Sequence, residues 1–208
     1  MDGRFTRLEP VLEEARAIGL LGPEPVGRHV RHGVVLGGRV DPPISFLDLG
    51  AGAGIPGLVL ALLWPESRAT LLDASERRTA FCLRAAAELG LEDRVRVVRA
   101  RAEVAGHEDE LRERFDLVTA RSFARPAVTA ECGGSFLRPG GRLLVSEPPD
   151  VASAEERWPA AGLAGLGLGP AAAESAEGVS SVSMEKVGPT PERIPRRTGI
   201  PGKRPLWS

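Results

Sequence analysis

The residues whose types and spacing could do chemistry lie in Asp48-Leu49-Gly50-Ala51-Gly52-Ala53-Gly54. The apolar run from Ile44 to Leu49 reads as a buried strand that carries an acid near its end. Beyond the glycines, Ile55 to Leu63 is apolar and helix-competent, and Pro56 is tolerated in a first turn because no backbone N–H is needed there. Strand, glycine-rich turn and helix make a nucleotide site at the carboxyl end of a parallel strand. Glycine lets the backbone approach a ligand with no Cβ in between. The spacing restricts the ligand. A dinucleotide fingerprint, G-x-G-x-x-G, fails because residues 50–55 read G-A-G-A-G-I, and a P-loop fails because the first lysine is Lys186. A purely structural strand–turn–helix is the other reading that this loop alone permits.

The surviving pattern, D-x-G-x-G-x-G, resembles the cofactor loop of class I S-adenosylmethionine (SAM) methyltransferases. Further strands must place the other groups of such a site. Ala69 to Asp73 reads as the second strand, and Asp73 lies 25 residues beyond Asp48. An acid at that tip accepts hydrogen bonds from ribose hydroxyls; the competing reading is an aspartate at the start of the next helix, where Ser75 or Glu76 would serve equally. Glu76 to Leu89 is an amphipathic helix stopped by Gly90, and Val95 to Ala100 is the third strand. It leads into Arg101-Ala102-Glu103, where a backbone N–H and a side-chain acceptor can read an adenine edge. The rival for Glu103 is an ordinary helix-start carboxylate. Phe115 to Arg121 is the fourth strand, and a helix over 126–136 follows it. Leu137-Arg138-Pro139-Gly140-Gly141 then reads as the turn that launches the fifth strand.

The flanks are less regular. Residues 8–21 have helical apolar spacing with Gly19 and Gly22 as stops, and Val26 to Leu36 predicts a second helix bearing Arg28, His29, Arg31 and His32. Residues 150–178, rich in Ala, Gly and Glu, predict a short helix, a loose connection and a sixth strand. Val179 to Val187 alternates as an antiparallel edge strand would. The tail from Gly188 holds Arg193, Arg196, Arg197, Lys203 and Arg204 against Glu192, with five prolines that predict an extended course. A solvated tail, a phosphate-binding arm and a segment packed along the sheet, with its prolines and Trp207 covering an edge, all fit that composition.

With 208 residues the chain can bury one full core, and a formal net charge of -1 leaves any nucleic-acid surface to local clusters. Cys82 and Cys132 lack metal-ligand spacing and read as reduced thiols. The apolar runs are too short to span a membrane and the amino terminus lacks signal-peptide order, which predicts a cytoplasmic protein. The expected organisation is a short helical extension over residues 1–40, a SAM-binding domain over 41–187 and a basic, proline-rich tail over 188–208. The expected fold is α/β and Rossmann-like: a mainly parallel seven-stranded sheet with helices on both faces and an antiparallel strand near its end.

Taken together the motifs resemble one family, the RsmG (GidB) methyltransferases, which modify guanine N7 in bacterial 16S ribosomal RNA. The matching pieces are Asp48 to Gly57, Leu71-Leu72-Asp73 with Arg77-Arg78, Arg101-Ala102-Glu103, Thr119 to Ala124, and the tail pattern T-P-x-x-x-P-R-x-x-G-x-P-x-K-x-P-L over Thr190 to Leu206. The resemblance implies a SAM site drawing on Asp48, Gly50, Ala51, Gly52, Gly54, Ile55, Asp73, Ala102, Glu103 and Arg121. It implies 16S rRNA, or the small ribosomal subunit, as partner. Arg77, Arg78, Arg196, Arg197, Lys203 and Arg204 are the expected RNA contacts. Guanine N7 has a free lone pair and no proton to lose, so no catalytic acid or base is assigned, and His29 and His32 are expected to lie away from the strand tips. In two places the chain departs from the family. The amino-terminal helical region retains little beyond Arg28-His29, and Ser146-Glu147-Pro148-Pro149 stands where a lysine usually ends the fifth strand, so Glu147 would repel RNA. Two alternatives follow: a methyltransferase redirected to a small molecule, and a SAM-binding regulatory or scaffold protein without transfer activity.

Overall fold

Short apolar strands alternating with helices cannot form hairpins, so they pair in parallel through crossover helices. The computed structural model describes residues 3–148 and 153–208. After a 3-10 turn at Gly3–Phe5 come α1 (Leu8–Ala17) and α2 (Val26–Gly37). The alternating region is β1 (Ser45–Leu49), α3 (Gly57–Leu63), β2 (Arg68–Asp73), α4 (Glu76–Glu88), β3 (Val95–Arg99), α5 (Ala102–Ala105), β4 (Phe115–Arg121), α6 (Pro126–Gly134) and β5 (Leu137–Glu147). Then follow α7 (Ala154–Arg157), α8 (Ala160–Ala164), β6 (Ala172–Ala176), β7 (Val179–Glu185) and α9 (Ile200–Lys203). The seven strands lie in the order β3-β2-β1-β4-β5-β7-β6. All pairs from β3 to β5 are parallel, whereas β7 is antiparallel to both β5 and β6. Strand order reverses beside β1, which pairs with both β2 and β4, and ligands bind in the crevice opened at such a reversal.

Side-chain alternation along the strands makes the two layers. Phe46, Leu71, Leu117 and Leu144 face one apolar cluster that contains residues of α1 to α4. Leu47, Leu72, Val118 and Leu143 face the other, shared with α5, α6 and α8. Phe5, Leu8, Leu12 and Val30 belong to the same cluster as Phe46, so the amino-terminal helices extend the core on that face of the sheet.

Four expectations change. The L-x-P-G-G stretch does not precede β5 but kinks it: the register jumps from Phe115↔Leu137 to Leu117↔Arg142. There Gly140 takes φ +77°, and a Cβ on Gly141 would lie 2.9 Å from the carbonyl oxygens of Arg138 and Phe115, too close for any side chain. The edge strand is β6, fully exposed, while β7 is interior with Val182 and Met184 buried. The helix expected over 8–21 ends at Ala17. The tail is not extended throughout: it turns after Pro191 and forms α9. Within the 150–178 expectation, residues 150–152 lie outside the described residues, as does Pro149.

Candidate active site

The glycine loop is held from beneath by two acids. Asp48 is almost wholly buried; its Oδ2 accepts the Gly57 N–H at 2.8 Å and its Oδ1 the Thr119 hydroxyl at 3.2 Å. Burial pushes its carboxyl up to about 7, against the pull of those two donors. It therefore ties β1 to α3 and β4 and does not face the crevice. Gly57 is glycine because a Cβ there would meet Asp48 Oδ2 at 2.7 Å. Asp73, at the tip of β2, accepts the Gly52 N–H at 3.0 Å and the Ser75 N–H at 2.8 Å. Leu72 O takes the N–H groups of Gly50 and Ala51, and Ala51 O takes that of Gly54. Every one of these loop donors is satisfied internally. The loop offers close backbone approach rather than an anion cradle, which fits a ligand without phosphates.

Above the loop lies a cavity of about 380 Å³ at the tips of β1, β2 and β3. Gly50, Asp73, Ala102 and Glu103 line it from the expected set, together with Arg78. Ala51, Gly52, Gly54, Ile55 and Asp48 do not line it; they belong to the bend that carries Gly50 to its wall. Phe123 closes the other side. Its ring lies so near that a Cβ on Gly50, whose φ is +73°, would stand 2.6 Å from Cδ2. The cavity thus combines the Asp73 carboxylate, a glycine wall and the Ala100–Glu103 tip at the switch point of the sheet.

Three comparisons bear on this site. The family model described as GidB, rRNA small subunit methyltransferase G, matches residues 22–148. A curated relative, ribosomal RNA small subunit methyltransferase G of Roseiflexus castenholzii, is 41% identical over 170 residues, covering 80% of this chain and 72% of the relative. Its counterpart in Deinococcus deserti is 37% identical, covering 83% and 72%. The chain belongs to the GidB family of methyltransferases. Among solved structures, an O-methyltransferase from Bacillus cereus in complex with SAH matches with a TM-score of 0.59 at 20% identity, covering 88% of this chain and 91% of that one. The cofactor-bound Rv0187 from MTB gives 0.59 at 17% identity, covering 88% and 90%. At these identities the two structures speak for the fold.

A second cavity of about 350 Å³ adjoins the first at the tips of β4 and β5. Ser122, Phe123 and Ala124 line both cavities. Arg121 lines only the second, and its guanidinium donates to His29 Nδ1 at 2.8 Å. His32 Nε2 lies 2.8 Å from the hydroxyl of Ser146 on β5. The two histidines therefore reach the strand tips from α2, contrary to the sequence expectation, because α2, packed against α3 and β7, turns them toward Arg121 and Ser146. Burial, then the Arg121 charge, lowers both imidazoles, His32 to about 4, so each is neutral at pH 7. The Glu147 carboxylate, expected to repel RNA, is paired with Arg157, Nε to Oε2 at 2.7 Å.

The six expected RNA-contact cations have different fates. Arg197, Lys203 and Arg204 are exposed, and among the described residues their side chains carry no ion pair or hydrogen bond. Arg77 donates to the Ile18 carbonyl, and Arg78 turns toward Asp73 at 3.5 Å. Arg196 is paired with Glu131 of α6, which accepts from Arg196 Nε at 2.9 Å, from a terminal nitrogen at 2.6 Å and from the Arg196 backbone N–H at 2.8 Å. Sequence reasoning missed Glu131. Its signal was a lone acid in the otherwise apolar stretch Pro126 to Gly134.

Proposed function

We propose that this chain transfers a methyl group from SAM to N7 of a guanine in 16S ribosomal RNA, with the small ribosomal subunit or its RNA as partner and the cytoplasm as its place of work. Among the described residues no helix is long and apolar enough to cross a membrane. The observation that carries the reading is the pair of cavities sharing the Ser122-Phe123-Ala124 wall. One suits the cofactor and the other an unstacked base, which Phe123 can meet with its ring face. When bound, SAM supplies an electrophilic methyl on a sulfonium.

The chain's own groups have modest tasks. Guanine N7 presents a lone pair and releases no proton, so in-line positioning and a fixed electrostatic environment suffice. Arg121, held by His29 Nδ1, is a guanidinium partly withdrawn from water with only a neutral hydrogen-bond partner. It can receive a carboxylate of the cofactor or a phosphate of the RNA. Neutral His29 and His32 add no second cation against the sulfonium.

The test is transfer of radiolabelled methyl from SAM to 16S rRNA, to small ribosomal subunits and to a small-metabolite pool, side by side. Label in RNA is expected. Label confined to metabolites would select the small-molecule alternative, and SAM binding with no transfer to any acceptor would select a regulatory or scaffold role.

A further inference from the structure

The tail packs on the domain, and it does so beside the cofactor cavity. Arg112 fastens its first part, donating to the carbonyls of Thr190, Pro191 and Ile194 at 3.1, 3.1 and 2.7 Å. His107 Nε2 donates to Pro195 O at 2.7 Å, and Ile194 is buried. Arg196 then locks onto Glu131, whose side chain has no exposed surface. Three residues later the chain turns at Gly199, φ +79°, whose N–H donates to Glu103 Oε1 at 3.0 Å. Gly199 and Gly202 line the same cavity as Asp73 and Ala102.

We infer that the C-terminal turn from Thr198 to Lys203 is a cofactor-binding element, a wall of the SAM site set in place by Glu103 and by the Glu131–Arg196 pair. The inference rests on the proposed SAM site and deepens it. Glu103 gives a carboxylate oxygen to Gly199, so the tip expected to read adenine also fixes the wall opposite it. Two glycines present bare backbone to the cavity, which is how a wall lies flat on a purine. The Glu131–Arg196 pair has a reason to be buried beyond tail packing. It sets the distance between α6, whose Val128 and Cys132 also line the cavity, and the turn. Glu131 and Arg196 are positioning residues here, not groups that touch the cofactor.

The experiment measures S-adenosylhomocysteine affinity by calorimetry and melting temperature together, on the full chain. Arg196→Met should weaken affinity about tenfold or more, since the turn must then be ordered on binding. Arg196→Lys, which keeps a cation but loses the fork, should recover part of it. Leu12→Ala, a buried change in the amino-terminal cluster, should lower the melting temperature and leave affinity unchanged, which separates site geometry from global stability. A Cβ at Gly202 meets no atom within 4 Å, so Gly202→Leu adds bulk to the wall without a clash; it should fold as wild type and bind less tightly. Wild-type affinity in folded Arg196→Met, or in Gly202→Leu should Arg196→Met not fold, overturns the inference. A wild-type chain that binds S-adenosylhomocysteine but methylates no RNA would count against the RNA reading alone. One that does not bind it would overturn both.

Discussion

Asp48 and Glu131 are both carboxylates with almost no exposed surface, one at the end of β1 beneath the glycine loop and the other on α6. Asp48 meets only neutral donors, the Gly57 N–H and the Thr119 hydroxyl, and burial drives its carboxyl up to about 7. Glu131 meets a guanidinium and accepts three hydrogen bonds from Arg196. The difference follows from what each acid must hold. Asp48 joins elements already neighbours in the sheet, where a hydrogen bond to a backbone N–H is enough. Glu131 recruits a segment 65 residues away that would otherwise be solvated, and a charged fork supplies both strength and orientation. Cavity walls built from the sheet need little anchoring; a wall built from a tail needs an ion pair.

The largest way to break this contrast is to strip Glu131 of its cation. Arg196→Met should cost about 3–5 kcal/mol in urea unfolding, because it leaves a buried, unpaired charge. Glu131→Gln should cost less, since Arg196 retains some exposure and can turn to water. Replacing both with apolar residues should recover much of the loss. Equal losses in the two single variants would remove the asymmetry.

Next in size is the pH response of Asp48. Its folded value lies above the ordinary 3.8, so its contribution is complete below that pH and is lost as pH rises toward about 7. The ionised form then costs up to about 4 kcal/mol. Asp48→Asn keeps an acceptor for the Gly57 N–H and cannot ionise. The stability difference between variant and wild type should move in the variant's favour from pH 4 to pH 8. A difference that does not change with pH would mean that Asp48 is ionised at little cost.

The smallest effect on stability belongs to the exposed tail cations. Changing Arg197, Lys203 and Arg204 together to alanine should leave the melting temperature within error and reduce the salt slope of RNA binding by about 2, as three lost phosphate contacts imply for single strands. An unchanged slope would move RNA contact elsewhere on the surface. Arg196, engaged by Glu131, is no longer in this set.

The parts that local pattern determines were legible in the sequence. β1 to β4, with α3 and α4, follow from apolar runs, glycine stops and the acid at each of two tips, and the cavity-lining residues Gly50, Asp73, Ala102 and Glu103 came with them. What depends on distant packing was not legible. The reach of His29 and His32 to the strand tips depends on how α2 lies across the sheet, which its own periodicity does not encode. Both strands of the β6–β7 hairpin were expected, but the edge was assigned to β7, because Ala172 to Ala176 is exposed and bears no apolar stripe that would set it outside its neighbour. The kink inside β5 looked like a turn because glycine and proline serve both. Arg196 read as an RNA contact and Glu131 drew no reading at all, because their pairing spans 65 residues and appears only in the fold.

The most direct measurement concerns the acceptor atom. After methylation of small-subunit RNA with SAM, borohydride reduction and aniline treatment cleave the strand at 7-methylguanosine. A single new cleavage at a guanosine, absent when 7-deazaguanosine replaces guanosine in the transcript, is the predicted result. Incorporated methyl label without aniline cleavage would place the methyl on another atom and contradict the account.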